Sequence, residues 1–424
     1  MKMNAEIIAV GSELLLGQIT NTNARYISSQ LAELGINVYY HTVVGDNAER
    51  LNQAIKLAES RAELIVFSGG LGPTKDDLTK ETIAKHLGKD LVMDNTALVS
   101  IEAFFQRVNR TMTENNKKQA LVLDGCQVLP NNHGMAPGMF YSHGKHVYIL
   151  LPGPPKEMEP MFQIEAKPVL AKWLNQEEII LSHVLRFYGI GEAELETQIM
   201  DLLEAQTNPT IAPLASDGEV TLRITAKTST EAEALRLIQE TEQILLSRVG
   251  NHLYGYNDDS LASSATKRLI ELGLTISAAE SLTAGLFQSE LAAIPGVSET
   301  LVGGMVTYTA DSKVNQLGIE RSLIDQFGVV SAECATAMAK RVKMMFESDI
   351  GVGLTGAAGP SSHDNQAAGT VWIAIVLPND EVYTHLLHLS DMRNTNRLRA
   401  VKKTLHYLIQ LLSQKSVKIK FYEL

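Results

Sequence analysis

Two segments in the C-terminal part of the chain carry side chains that could cleave a bond. Ser281 follows a predicted strand at 275–278 and lies four residues before Gly285, and Tyr308 and Lys313 lie five residues apart after a Gly pair. A lysine whose pKa falls from about 10.4 through desolvation or a nearby cation could act as a base, directly or through the tyrosine. No histidine lies near Ser281 or Tyr308 in the sequence, so a Ser-His arrangement has no local support.

Each of these residues also has a structural interpretation. Ser281 could cap a helix, and Lys313 taken alone could be a solvated helix residue. Residues 355–360, TGAAGP, could offer backbone amides to a phosphate or an oxyanion, or could form an ordinary turn. Three arginines between residues 393 and 399 open a predicted helix, where the helix dipole disfavours cations. They indicate an anionic ligand or solvated side chains.

A second Gly-rich segment lies near the N-terminus, at residues 68–79 with the sequence SGGLGPTKDDLT. It separates a predicted buried strand from a predicted helix, so its amides can face an anion, which favours a phosphate site. Asp76 or Asp77 could reach a Mg²⁺ ion bound to phosphate oxygens, or could cap the helix. Glu13 could support the metal or orient Asn23, or could be a solvated loop residue.

The hydrophobic pattern predicts the elements that must position these segments. Strands at 5–10, 37–44 and 64–67 alternate with helices at 23–34 and 48–60. This alternation predicts a mostly parallel sheet with helices on both faces, in which ligands bind beyond the carboxyl ends of the strands.

The alternation stops in the middle of the chain and then resumes. A small α+β unit is predicted from residue 179 to 247, and strands and helices alternate again from 261 to a final helix at 393–412. The predicted fold class is α/β, with two three-layer α/β domains of mostly parallel sheets joined by the small α+β module. The predicted domains are residues 1–172, 173–254 and 255–424.

Composition narrows the classes of function. The 424 residues include 45% apolar and 20% charged residues, typical of a folded protein, and the net charge of −11 argues against a nucleic acid partner. Cys126 and Cys334 are the only cysteines, too few for a disulfide scaffold. The sequence shows no signal peptide and no apolar stretch approaching the ~20 residues of a membrane span, so we expect a cytoplasmic protein.

Three N-terminal motifs resemble those of a known family. Residues 11–17 with Asn21 to Asn23, residues 68–79, and residues 151–158 (LPGPPKEM) are similar to the molybdopterin-binding-like domain of CinA-type proteins. The resemblance implies a nucleotide pocket, with Asp77 near a divalent metal (Mg²⁺ or Co²⁺). In some members this domain is similar to ADP-ribose pyrophosphatases. The implied nucleotide-binding residues are Glu13, Asn23, Gly69, Gly70, Gly72, Thr74, Asp76, Asp77 and Glu157.

Residues 259–412 resemble the C-terminal CinA domain, which is similar to nicotinamide-nucleotide amidase. The resemblance implies hydrolysis of nicotinamide mononucleotide (NMN) to nicotinate mononucleotide and ammonia, without a metal. It implies Ser281 as nucleophile, Lys313 as base and Tyr308 as relay, with Thr355 as a pocket hydroxyl and Arg397 as a phosphate or substrate contact. The implied substrate-binding residues are Thr283, Gly304, Thr355, Gly356, Gly359, Arg393 and Arg397.

Two regions bear on how far this resemblance extends. Residues 361–368, SSHDNQAA, replace the Gly pair and Lys-Pro usual in the family, which affects the loop expected to cover the substrate. Residues 212–220 resemble the family's KH-like insert but lack a Gly-x-x-Gly clamp, so we do not predict RNA binding.

The sequence thus predicts an NMN amidase, with metal-dependent ADP-ribose pyrophosphatase action as a second activity. A homodimer is expected, with small nucleotides as ligands. The alternative is a non-catalytic protein that binds partners in DNA uptake or repair.

Overall fold

The computed structural model describes residues 3–174, 179–216, 218–390 and 392–413. Its contacts group into two compact units, residues 1–182 with 225–238, and residues 183–224 with 239–424. The division between these units passes through the small middle module. The predicted end of the last domain, at residue 424, lies outside the described residues.

The N-terminal elements alternate as the hydrophobic pattern predicts, and the predicted bounds agree within one or two residues. The strands at 91–93, 121–123 and 127–129 were not predicted, because three-residue strands carry little periodicity. In chain order the elements are β1 (Asn4–Val10), α1 (Ser12–Leu15), α2 (Thr22–Glu33), β2 (Asn37–Val44), α3 (Ala48–Glu59), β3 (Leu64–Ser68), α4 (Thr79–Leu87), β4 (Leu91–Met93), α5 (Asn95–Arg107), α6 (Glu114–Lys117), β5 (Leu121–Leu123), β6 (Gln127–Leu129), β7 (Gly138–His143), β8 (His146–Leu151), α7 (Pro155–Met161) and α8 (Lys167–Trp173).

The N-terminal sheet has the strand order β2-β1-β3-β8-β7-β6. The first four strands run parallel, and β7 and β6 add antiparallel pairs at one edge. Side chains of β1 alternate between two cores: Ile7 packs with residues of α2, and Ile8 packs with residues of α3. Helices therefore cover both faces of this sheet, which gives three layers.

The remaining elements form a small sheet and then a second large one. In chain order they are β9 (Ile179–Tyr188), α9 (Glu192–Ala205), β10 (Thr210–Ser216), β11 (Glu219–Thr228), α10 (Glu231–Val249), β12 (Leu253–Tyr256), α11 (Leu261–Leu272), β13 (Ile276–Glu280), α12 (Leu286–Ala292), β14 (Leu301–Val306), α13 (Ala310–Asn315), α14 (Arg321–Phe327), α15 (Ala332–Met345), β15 (Ile350–Gly356), β16 (Thr370–Val376), β17 (Val382–His388) and α16 (Arg393–Ser413).

The C-terminal sheet has the order β14-β13-β15-β16-β17, with β13 parallel to β14 and β15, and β16 and β17 in antiparallel pairs. Ala278 packs with residues of α11, α12 and α16, whereas Ala279 packs with residues of α14 and α15. The predicted α/β fold class is confirmed. No helix in the described part of the chain is long and apolar enough to cross a membrane.

Candidate functional site

The C-terminal domain contains a cavity of about 870 Å³ beyond the carboxyl ends of its parallel strands. Strands β13, β14 and β15 end in register, with Glu280 paired to both Val306 and Leu354, so the residues that follow each strand meet at one edge of the sheet. Six of the predicted site residues line this cavity: Ser281, Tyr308, Thr355, Gly356, Gly359 and Arg393.

Ser281 and Lys313 are in direct contact. Lys313 Nζ lies 3.0 Å from Ser281 Oγ and donates to the carbonyl oxygen of Thr307 at 2.8 Å. Lys313 lies on the short helix α13, and its side chain is 1% exposed. The interpretation of Lys313 as a solvated helix residue is therefore wrong, because the helix buries this face against the sheet.

Burial lowers the pKa of Lys313, because the low-dielectric interior penalises the ammonium form. The neighbouring thiol of Cys334 does not supply a charge at neutral pH, since burial raises its own pKa to about 11. A lysine with a lowered pKa beside a serine hydroxyl has the arrangement of a general base and its nucleophile.

Glu280 is a buried polar residue of this loop that the sequence analysis did not identify. Its carboxylate is fully buried and accepts hydrogen bonds from the backbone amides of Gly285, Phe287 and Gln288 at 2.9–3.1 Å, and from the Gln288 side chain. These amides begin helix α12, where a negative charge is favourable. The buried carboxylate therefore fixes the loop that carries Ser281. Its position directly before Ser281, at the end of a buried strand, was the available signal.

The structure places the Tyr308 hydroxyl against Arg393, and its role as a relay stays a prediction. Arg393 Nη2 donates to the Tyr308 hydroxyl at 2.5 Å, and the tyrosine side chain is half exposed. Lys313 reaches Ser281 directly in the structure. Arg393 also donates to the carbonyl oxygen of Gly359 at 2.8 Å, so Tyr308 and Arg393 form one wall of the cavity.

Arg397, predicted as a phosphate or substrate contact, bonds to the backbone of the Ser281 loop in the structure. Its Nε and Nη2 atoms donate to the carbonyl oxygens of Leu282 and Thr283 at 3.0 and 2.8 Å, and its Nη1 donates to Asn394. The guanidinium is outside the lining of the cavity. Arg397 therefore holds the backbone of the Ser281 loop.

Three other residues that were predicted to bind the substrate have different surroundings in the structure. Gly304 does not line the cavity; a Cβ there would lie 2.2 Å from the carbonyl oxygen of Ala278, so this glycine allows close packing of strands. Thr355 lines the cavity, but its hydroxyl donates to the carbonyl oxygen of Val329 at 2.6 Å. Thr283 lies outside the lining, and its buried hydroxyl has no partner among the described residues.

The atypical loop at residues 361–368 forms part of the cavity wall. His363 and Gln366 exchange backbone hydrogen bonds across a tight turn, in which Asp364 and Asn365 adopt φ values of 55° and 57°. Asp364 accepts from the amide of Val330 at 2.9 Å, which ties the turn to the loop before α15. The loop lines the cavity through residues 361–364.

The N-terminal domain contains its own cavity, of about 730 Å³, at the carboxyl ends of β1, β3 and β8. All the predicted nucleotide-binding residues line it: Glu13, Asn23, Gly69, Gly70, Gly72, Thr74, Asp76, Asp77 and Glu157. The three sequence motifs therefore converge on one space.

Asn23 connects the three N-terminal motifs. Its Nδ2 atom donates to Ser68 Oγ and to the carbonyl oxygen of Gly153, both at 2.7 Å, and its buried Oδ1 has no partner among the described residues. The exposed Glu13 carboxylate lies over Gly11, where a Cβ would be 2.5 Å from its Oε1, and the hydrogen bonds of Asn23 go to Ser68 and Gly153.

Asp77 shapes the Gly-rich loop. Its Oδ2 atom accepts from the amide and hydroxyl of Thr74 at 2.9 and 2.6 Å, and a Cβ on Gly72 would meet the same oxygen at 2.5 Å. No group of three or more His, Cys, Asp or Glu side chains that could hold a metal occurs within the described residues. A divalent cation here would need most of its ligands from a bound diphosphate.

Two lysines that the sequence analysis did not identify support the Gly-rich loop at residues 68–79. Lys80 is 1% exposed and donates to the carbonyl oxygens of Lys118, Gln119 and Leu121. Burial lowers the pKa of Lys80 to about 8. Lys118 donates in turn to the carbonyl oxygens of Thr74 and Asp77.

Comparison with known proteins identifies the family. Family models match three consecutive segments: "Probable molybdopterin binding domain" at 6–172, "Damage-inducible protein CinA KH domain" at 182–255 and "CinA C-terminal domain" at 258–412. A competence-damage inducible protein of Lysinibacillus sphaericus is 67% identical over 97% of this chain and 99% of its own. The chain belongs to the CinA family.

The chain is also similar to a second relative and to a solved structure. A competence-damage inducible protein of Bacillus subtilis is 54% identical over 97% of this chain and 99% of its own length. The crystal structure of CinA from Thermoplasma acidophilum is similar at 37% identity over 40% of this chain and 98% of that one, with a TM-score of 0.37. In this CinA chain, one cavity lies within the first matched segment and the other within the third.

Proposed function

We propose that the C-terminal cavity is an amidase site that hydrolyses NMN to nicotinate mononucleotide and ammonia. The observation that carries this proposal is the contact of 3.0 Å between Lys313 Nζ and Ser281 Oγ, in which the lysine is buried and has a lowered pKa. A carboxamide is a suitable substrate class, because acyl transfer needs a nucleophile, a base and an oxyanion site.

In the proposed mechanism, neutral Lys313 accepts the Ser281 proton as Oγ attacks the carboxamide carbon. The resulting tetrahedral intermediate collapses when the C–N bond breaks, and the ammonium of Lys313 returns the proton to the leaving nitrogen, so ammonia departs. Water, deprotonated by the same lysine, then hydrolyses the Ser281 ester and restores the hydroxyl. This reaction takes no metal.

The loop after Ser281 offers a donor for the oxyanion. The backbone amide of Leu282 makes no hydrogen bond among the described residues, and Leu282 lines the cavity. Removing one such donor from an acyl-transfer enzyme typically costs about 10²–10³ in kcat.

The far wall of the cavity has groups that suit the rest of a nucleotide. Arg321 and Arg393 both line it, and the loop at 356–359 contributes backbone groups. A volume of about 870 Å³ lies within the usual range of small-molecule sites. We propose that the 5′-phosphate of NMN binds on this arginine-bearing side.

Substitution of the proposed nucleophile and base tests the function. We expect Ser281→Ala and Lys313→Met each to lower ammonia release from NMN by about 10³-fold or more. The reason is that loss of either the nucleophile or its base stops the same chemical step. Lys267→Met, on the exposed face of α11, is the matched control and is expected to keep full activity. Undiminished rates in both site variants would exclude this mechanism.

The lowered pKa of Lys313 predicts a specific pH dependence. Only neutral lysine can accept the serine proton, so kcat/KM for NMN is expected to rise with pH and to level off at an apparent pKa below the ordinary value of about 10.5. Measuring ammonia release from pH 7 upward checks this. A rate that falls steadily through the same range would contradict it.

We also propose a second activity, hydrolysis of the diphosphate of ADP-ribose with Mg²⁺ or Co²⁺, in the N-terminal cavity. Its support is the Gly-rich loop that Asp77 shapes and the convergence of the three motifs through Asn23. The Gly-rich loop can hold phosphate oxygens with its amides. A bound cation would supply charge stabilisation for the leaving phosphate.

A charge-removing substitution tests this second activity. Asp77→Asn retains an oxygen that can accept from Thr74, so the loop should keep its shape while it loses a carboxylate. We expect AMP release from ADP-ribose with Mg²⁺ or Co²⁺ to fall at least about 10-fold, with Asp124→Asn as an exposed control. Equal AMP release by Asp77→Asn and the unsubstituted protein would contradict the proposal.

The homodimer stays a prediction. A non-catalytic role in DNA uptake or repair is the alternative function, and it would gain support if both catalytic assays gave no product.

A further inference from the structure

The loop from Ser281 to Gly285 is held by charged groups at both of its ends. Ala284 and Gly285 adopt φ values of 50° and 91°, so the loop turns sharply between β13 and α12. A non-glycine residue with positive φ is uncommon and persists when its surroundings impose it.

Glu280 holds the far end of this loop. Its carboxylate accepts hydrogen bonds from the backbone amides of Gly285, Phe287 and Gln288, at the start of α12. The backbone of Glu280 itself belongs to the strand before Ser281. The carboxylate therefore closes the loop on itself across five residues. Because Glu280 is fully buried, water cannot replace these hydrogen bonds without a change in the loop.

Arg397 holds the near end of the loop, from the helix α16. It donates to the carbonyl oxygens of both Leu282 and Thr283. In a trans peptide unit the C=O and the following N–H point in opposite directions. Fixing the Leu282 and Thr283 carbonyls toward Arg397 therefore sets the orientation of the two peptide planes that follow these residues.

We propose that Glu280 and Arg397 are positioning residues that together clamp the Ser281 loop. The clamp keeps Ser281 Oγ against Lys313 and holds the backbone of Leu282, whose amide makes no hydrogen bond among the described residues, at the cavity. This inference rests on the proposed amidase function and assigns a cause to its catalytic geometry. In this proposal Arg397 acts on the chemical step and does not bind the phosphate.

Two substrates that differ only in the phosphate separate these roles. NMN carries the 5′-phosphate, and nicotinamide riboside lacks it while keeping the same carboxamide. Loss of a phosphate contact raises KM for NMN alone, whereas loss of a positioning contact lowers kcat for both substrates by the same factor. The variants are Glu280→Gln and Arg397→Gln, assayed for ammonia release in the full chain.

Matched controls come from an exposed ion pair elsewhere in the same domain. Arg268 and Glu271 form an i, i+3 pair on α11, so Arg268→Gln and Glu271→Gln make the same chemical changes away from the loop. Melting midpoints of all variants are measured, and kinetics are compared well below the lowest of them.

The clamp predicts that Arg397→Gln and Glu280→Gln each lower kcat about 10²-fold on both substrates, with KM for NMN changed by less than about 3-fold. Arg397→Lys keeps a donor for the carbonyl oxygens and is expected to recover part of the lost kcat. A rise in KM confined to NMN, an unchanged kcat, or no recovery in Arg397→Lys relative to Arg397→Gln would overturn the proposal.

Labelling of Ser281 separates failure of the clamp from failure of the amidase assignment. A fluorophosphonate forms an Oγ–P bond with an activated serine as fluoride leaves and Lys313 takes the proton. If neither substrate releases ammonia with the unsubstituted protein, the amidase proposal fails, but the clamp still predicts that both variants slow labelling of Ser281. Labelling at the unsubstituted rate in both variants would then refute the clamp.

Discussion

The buried contact between Lys313 and Ser281 is the constraint on which the C-terminal site depends. An ammonium group is costly to desolvate, and among the described residues the hydrogen-bond partners of Lys313 are one hydroxyl and one carbonyl oxygen, with no carboxylate to offset the cost. Burial therefore lowers the pKa of Lys313, which increases the fraction of neutral amine at a given pH. Lys80 is a contrasting case, because its partners are three carbonyl oxygens and it supports a loop without facing a nucleophile.

The parallel strands bring the reacting groups together. Ser281, Thr307 and Thr355 follow or end three neighbouring strands, and the register of β13 with β14 and β15 sets their relative positions. The same principle operates in the N-terminal domain, where Asn23 connects the ends of β3 and β8. In both domains the sheet supplies an edge, and short loops supply the chemistry.

Much of the fold and the central pair of the site could be predicted from the sequence, because periodicity marks elements and Ser281 and Lys313 carry distinctive chemistry. The roles of Arg397 and Glu280 could not, since they depend on which backbone groups converge across long separations. The arginines at the start of α16 predict an anionic ligand, and in the structure Arg397 donates to the carbonyl oxygens of Leu282 and Thr283. The relay role of Tyr308 stays a prediction, because spacing in sequence does not show that Lys313 reaches Ser281 directly.

Detection of a covalent intermediate tests the central claim most directly. The full chain is mixed with NMN, quenched with acid during turnover, digested and analysed by mass spectrometry. The proposed mechanism predicts that the peptide containing Ser281 carries the nicotinate mononucleotide acyl group, that hydroxylamine removes it, and that Ser281→Ala carries none. Continued ammonia release with no acyl group on Ser281, or with the group on another residue, would contradict the account.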